Sequence, residues 1–177
     1  READWFYNAV KYASKHGLMR GVGGGNFAPG ATMTRAMAVT VLYNLEGRPA
    51  VAGANPFEDV EGGAWYTDAI LWAAEEGLVS GYGDGRFGPD DSITREQFAV
   101  VLYHYARFKG VAQAGTWSVE LKYPDSEAIS PWAREAAMYC QLKSFIQGGT
   151  NGNFNPQSGT LRAEAATILM RFVEAMR

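Results

Sequence analysis

The stretch WYTDAILWAAEEGLVSGYGDGRFGPDDSITREQFAVVL, Trp65–Leu102, sets a pattern that this chain carries three times. Counted from Trp65, Gly77 lies 12 residues on, Gly81 at 16, Phe87 at 22, Pro89 at 24, Arg95 at 30 and Leu102 at 37. From Trp5 the same offsets land on Gly17, Gly21, Phe27, Pro29, Arg35 and Leu42. From Trp132 they land on Ser144, Gly148, Phe154, Pro156, Arg162 and Leu169. Ser144 alone departs, and no gap is needed inside any copy. Agreement of rare residue types at so many offsets identifies a triple repeat, and everything else is read within it.

Each copy reads as helix, glycine-rich loop, helix. In the middle copy the first helix is expected over about Ala64–Glu76, with Trp65, Ala69, Trp72 and Ala73 in one phase. Gly17 and Gly77 stand where a left-handed residue ends a helix. Thr34 and Thr94 are N-caps by type, and Gln97 completes a capping box with Thr94. Ser130-Pro131 is a helix start of the same quality. In the second helices, Ala38, Val41, Leu42 and Leu45 form a buried stripe. Phe98, Val101, Leu102 and Tyr105 repeat it, as do Ala165, Ile168, Leu169 and Phe172. The repeats span residues 1–47, 56–107 and 123–177, joined by linkers over 48–55 and 108–122. The opening Phe57-Glu58-Asp59-Val60 has no counterpart before Trp5, so the first repeat is expected to be truncated at its N-terminus. No signal-peptide pattern stands at Arg1.

One unit of about 45 residues is too small for a core of its own. The second helices are therefore expected to pack together with the first helices around them. That predicts an all-α, pseudo-threefold domain with a central three-helix bundle, and a monomer.

Composition excludes several functions. With 177 residues, 47% of them hydrophobic, and a formal net charge of -3, the chain can bury a core but lacks the basic stripe of a nucleic-acid binder. No apolar run approaches a membrane span of about 20 residues. The single cysteine, Cys140, forms no disulfide framework. His16 and His104 occupy unrelated repeat positions, so neither a metal site nor any cofactor is expected. A calcium loop through Asp84 would place Ser80 and Tyr82 at the first and third ligand positions, which tyrosine cannot serve. Hydrolysis of a glycan would need two carboxylates flanking one bond. No acidic position recurs in the three loops, and the chain is read as a binding module rather than an enzyme.

The combination Phe-x-Asp, Trp, Gly-x-x-x-Gly, Asp-Gly-x-Phe-x-Pro and Ile93-Thr94-Arg95-Glu96 resembles the S-layer homology domain, in three copies over nearly the whole chain. The resemblance implies a three-pronged spindle with ligand grooves between neighbouring repeats. It implies an extracellular module, mainly of Gram-positive bacteria, that anchors a surface protein to a secondary cell-wall polysaccharide carrying ketal-linked pyruvate. Thr-Arg at the start of the second helix is the family's ligand-contact motif, here Thr34-Arg35 and Thr94-Arg95. The third copy has Leu161-Arg162, and the Asp84 position holds Gly24 in the first copy and Asn151 in the third.

The residues suit an anion. A guanidinium grips a carboxylate through parallel hydrogen bonds. Arg35, Arg95 and Arg162 follow the N-cap, where free amides and the helix dipole add positive potential. Gly81 and Gly83 allow close backbone approach to a sugar, and Asp84 shares their loop. Trp5, Trp65 and Trp132 share phase with buried alanines, which reads as core packing; Trp65 is also a candidate for stacking on a sugar face. Asp59 and Asp125 read as structural, capping a turn or holding an arginine. A different binding reading is amine-modified or unmodified peptidoglycan, for which acids would matter more than Arg95. A third is a structural domain of a larger surface enzyme.

Overall fold

The computed structural model describes residues 3–22, 24–115 and 119–176. Gly23 of the first loop and residues 116–118 of the second linker lie outside these. The fold is all-α. Six helices run α1 Tyr7–Lys15, α2 Arg35–Leu45, α3 Thr67–Glu75, α4 Arg95–Phe108, α5 Arg134–Leu142 and α6 Arg162–Ala175. Two short 3₁₀ turns, Ser126–Ala128 and Pro131–Ala133, precede α5. Among the described residues there is no strand, only isolated bridges.

The local signals act as their chemistry requires. The Thr34 hydroxyl accepts from Met37 N at 3.1 Å and the Thr94 hydroxyl from Gln97 N at 3.2 Å. Gln97 Oε1 accepts from Thr94 N at 3.0 Å, closing the capping box. In the third copy Glu164 Oε2 accepts from Leu161 N at 2.9 Å, and leucine has no oxygen with which to answer. Each first helix ends in the same motif. Leu18 N donates to Ala13 O, Leu78 N to Ala73 O and Phe145 N to Cys140 O, at 2.8–2.9 Å. The residue that turns the chain is left-handed in all three: Gly17 at φ 66°, Gly77 at 67° and Ser144 at 58°.

The hub of the molecule is a closed ring of backbone hydrogen bonds. Met33 N donates to Thr160 O at 2.8 Å, Thr160 N to Ile93 O at 2.9 Å, and Ile93 N to Met33 O at 2.9 Å. Each residue precedes the N-cap of a second helix, and all three are buried. A second ring surrounds the first. The opening amides of α2, at Arg35 and Ala36, donate to Asp91 O and Pro89 O of the second copy. Arg95 and Glu96 donate to Ser158 O and Pro156 O of the third, and Arg162 and Ala163 to Ala31 O and Pro29 O of the first. The free amides expected at these helix starts are therefore occupied. Two meet carbonyls of the next copy, and in α2 and α4 the third meets threonine, so those two helix starts are not bare.

Helix pairing crosses the repeat boundaries. The helix α3 packs on α2, α5 on α4, and α1 on α6. The first two pairs join helices that follow one another in the chain but belong to neighbouring copies, while the third joins the first and last of the six helices. The second helices meet along the middle through large side chains: Tyr105 lies 5.9 Å from Phe172, and its hydroxyl donates to Glu46. The alanine face of the first helices is buried as its phase predicts, at Ala9, Ala13, Ala69, Ala73, Ala136 and Cys140.

Two positions are expected to gain stability on substitution. Ser144 is exposed and left-handed where its counterparts are glycine, so Ser144→Gly should stabilise by about 0.5–1 kcal/mol. The Thr160 hydroxyl is fully buried with no hydrogen-bond partner among the described residues. Thr160→Val keeps the shape and removes the unmet donor, for a gain of about 1 kcal/mol. Denaturant titration of each variant against the parent checks both.

Candidate functional site

Among the described residues, three of the surface grooves draw on all three repeats. Groove one holds Arg20, Gly21 and Val22 of the first loop, Arg162 from α6 and Trp65, around about 580 Å³. Groove two holds Ser80, Gly81 and Tyr82, Arg35 from α2 and Trp132, around about 230 Å³. Groove three holds Gln147, Gly148 and Gly149, Arg95 from α4 and Trp5, around about 640 Å³. The common plan is a glycine loop, an arginine from the preceding copy and a tryptophan from the following one.

The tryptophans correct the sequence reading. Trp5, Trp65 and Trp132 are 68%, 60% and 58% exposed, not core residues. Helical phase does not reach them, because α1 and α3 begin only at Tyr7 and Thr67, and Trp132 sits in a 3₁₀ turn before α5. Their indoles stand on the rim, Trp5 and Trp65 edge-on to Phe6 and Tyr66.

The arginines are both structural and groove-lining. Exposure is only 8%, 6% and 4% for Arg35, Arg95 and Arg162. Each sends Nε to the carbonyl of the repeat phenylalanine in the next copy: Arg35 to Phe87 O at 2.8 Å, Arg95 to Phe154 O at 2.6 Å, Arg162 to Phe27 O at 2.9 Å. The Arg35 guanidinium lies 4.7 Å from the Tyr82 ring and 4.6 Å from Phe87, and Arg162 lies 4.8 Å from Phe27. Arg35 also donates Nη2 to Ser80 O, and Arg162 donates Nη2 to Arg20 O. Arg95 pairs through Nη1 with Glu164 at 3.0 Å. Burial lowers the Arg35 and Arg162 pKa values, yet guanidinium stays charged in proteins. With Nε on a carbonyl, and an Nη on a second carbonyl in Arg35 and Arg162 or on Glu164 in Arg95, only the remaining Nη hydrogens are left for a ligand.

Other expected site residues hold the loops. Asp59 accepts from Phe87 N and Gly88 N at 2.8 Å each, and Asp125 from Phe154 N and Asn155 N at 2.7 Å each. Neither holds an arginine; both clasp the turn beneath one. Thr34 and Thr94 cap their helices and do not line a groove. Gly81 belongs to groove two, but its missing Cβ also serves the loop itself: a Cβ there would stand 2.5 Å from Arg86 O. The same holds at Gly21 against Asn26 O, at 2.8 Å. Gly83 and Asp84 lie outside the groove lining, with Asp84 bonded to Arg86 N and Nε at 3.1 and 3.0 Å. Sequence reasoning passed over Arg20, Arg48, Tyr82 and Arg171, which line grooves but vary between copies. Among the described residues no cluster could hold a metal ion, and no helix is long and apolar enough to cross a membrane.

The chain belongs to the S-layer homology domain family, whose pattern matches residues 1–38, 56–99 and 122–166. It is 34% identical over 161 residues to the cellulosome-anchoring protein of Acetivibrio thermocellus, covering 89% of this chain and 35% of that protein. It is 30% identical over 169 residues to the surface-layer 125 kDa protein of Lysinibacillus sphaericus, covering 94% and 14%. An amylopullulanase of Thermoanaerobacterium thermosulfurigenes is 27% identical over 173 residues, covering 97% of this chain and 9% of that enzyme. The chain thus spans about a third or less of these relatives.

The Asp59 clasp carries a pH signature. Partial burial opposes ionisation, but the amides of Phe87 and Gly88 outweigh it and hold the carboxyl below its ordinary value. A depressed carboxyl stabilises the fold above its unfolded pKa, about 4, and that contribution is lost as pH falls through the folded value. Asp59→Asn is expected to cost about 1–2 kcal/mol at neutral pH and to weaken the decline below about pH 4. Unfolding titrations at pH 7 and pH 3 measure both.

Proposed function

We propose that this chain is a non-catalytic, extracellular wall-anchoring module. It binds an anionic secondary cell-wall polysaccharide bearing pyruvate ketals and tethers a surface protein to it. The observation that carries this reading is the repeated groove, lined each time by an arginine, a glycine loop and an exposed tryptophan. A ketal carboxylate suits the guanidinium, and the apolar face of its sugar suits the indole. The names of the relatives, a cellulosome-anchoring protein and a surface-layer protein, support the same use. The amylopullulanase supports a tether that serves catalytic domains outside itself. Three modest grooves on a repeating polymer would act together, raising avidity without added contacts.

The arginines anchor the fold, so their removal mixes stability with binding. The exposed tryptophans give the cleaner test. Calorimetric titration would compare a pyruvylated wall-polymer fragment with the same fragment stripped of pyruvate. The triple variant Trp5→Ala/Trp65→Ala/Trp132→Ala should keep its helical circular dichroism and lose about a hundredfold in polymer affinity. Equal binding of the stripped fragment, or unchanged binding by the triple variant, would overturn the proposal.

A further inference from the structure

The three grooves share a plan but not a charge. Groove one is lined by Arg20, Arg48 and Arg162, and by no carboxylate. Groove two has Arg35 with His104, and groove three sets Glu164 among Arg95 and Arg171. Part of the difference lies in the third residue of each second helix: Met37, Gln97 and Glu164. Where Arg95 meets the Glu164 carboxylate, Arg162 Nη1 meets only the Met37 thioether, at 3.5 Å. Sulfur is a weak acceptor and carries no charge, so no carboxylate pairs with Arg162 among the described residues.

Two further cations are held beside it. The Arg20 carbonyl accepts from Arg162 Nη2 at 2.7 Å, which fixes the backbone of Arg20 at the lip. Arg48 follows α2 with φ 60°, and its Nε donates to Asn44 Oδ1 at 2.8 Å. Both side chains are exposed, and neither makes an ion pair among the described residues. An anion entering groove one would meet three cations and no carboxylate among the lining residues.

We propose that groove one takes a doubly acidic glycan unit. Arg162 receives one carboxylate, and Arg20 and Arg48 receive a second anionic group, carboxylate or phosphate, on the adjoining sugar. This rests on the wall-glycan reading and makes Arg20 and Arg48 its specificity-determining residues. Grooves two and three have no equivalent pair and bind singly acidic units.

The test uses three synthetic disaccharides: one with a single pyruvate ketal, one with a hexuronic acid as second sugar, and one with a phosphate there. Titration is followed by the indole N–H resonances of Trp5, Trp65 and Trp132. Trp65 should respond to at least one diacid at about fivefold lower concentration than to the monoacid, as two partly exposed ion pairs allow. Arg20→Ala/Arg48→Ala should erase that preference, while Lys15→Ala/Lys143→Ala, with the same net charge, should keep it. The response to each diacid separates carboxylate from phosphate. Equal affinity for all three, or a preference that survives Arg20→Ala/Arg48→Ala, overturns this assignment and leaves the anchor intact. If no disaccharide moves any of the three indoles, the wall-glycan reading falls with it.

Discussion

Three backbone hydrogen bonds, Met33 to Thr160 to Ile93 and back to Met33, hold the centre of this protein. None can form within one repeat. Each requires the segment before one second helix to lie against that of another. Around them, the opening amides of the helices bind carbonyls of the next copy, and so do the arginine side chains. Buried backbone groups left unpaired would be costly. The arrangement satisfies them only when all three copies are in place, which explains how units too small for their own cores become stable together.

The same interlock builds the grooves. An arginine that fixes one loop by its Nε presents its remaining edge beside that loop. The phenylalanine whose carbonyl it binds is itself held by an aspartate in two of the copies. The side chains that line the grooves thus also hold the fold together, and the groove arrives pre-shaped. The tryptophans are the exception: they stand exposed on the rim, outside the ring of bonds that holds the copies together.

Much of this was legible in the sequence. The offsets from Trp65 define the repeat, Thr34 and Thr94 mark helix starts, and the alanine phase marks the buried face. These signals are local, and local geometry realises them. What stayed hidden depends on partners far along the chain. Helical phase assigns Trp5, Trp65 and Trp132 to the core only if the helix extends back to them, and it starts two residues too late. The helix-start amides look free until the neighbouring copy supplies carbonyls. The arginine positions were readable from their recurrence, but not the division of each guanidinium between a loop carbonyl and a groove. Arg20 and Arg48 break the repeat pattern, so a reading built on recurrence had no means of finding them.

The offset between the sequence repeat and the packing unit also constrains how such a module can change over generations. Two helix pairs are consecutive in the chain, and the third sets α1 against α6, the first and last of the six helices. Every groove takes its loop, its arginine and its tryptophan from three different copies. Deleting one copy would therefore not leave a two-site protein; it would dismantle all three sites and the hub with them. A change of copy number therefore disturbs every groove at once, whereas Arg20, Met37 and Arg171 each line one groove alone and can vary without touching the other two.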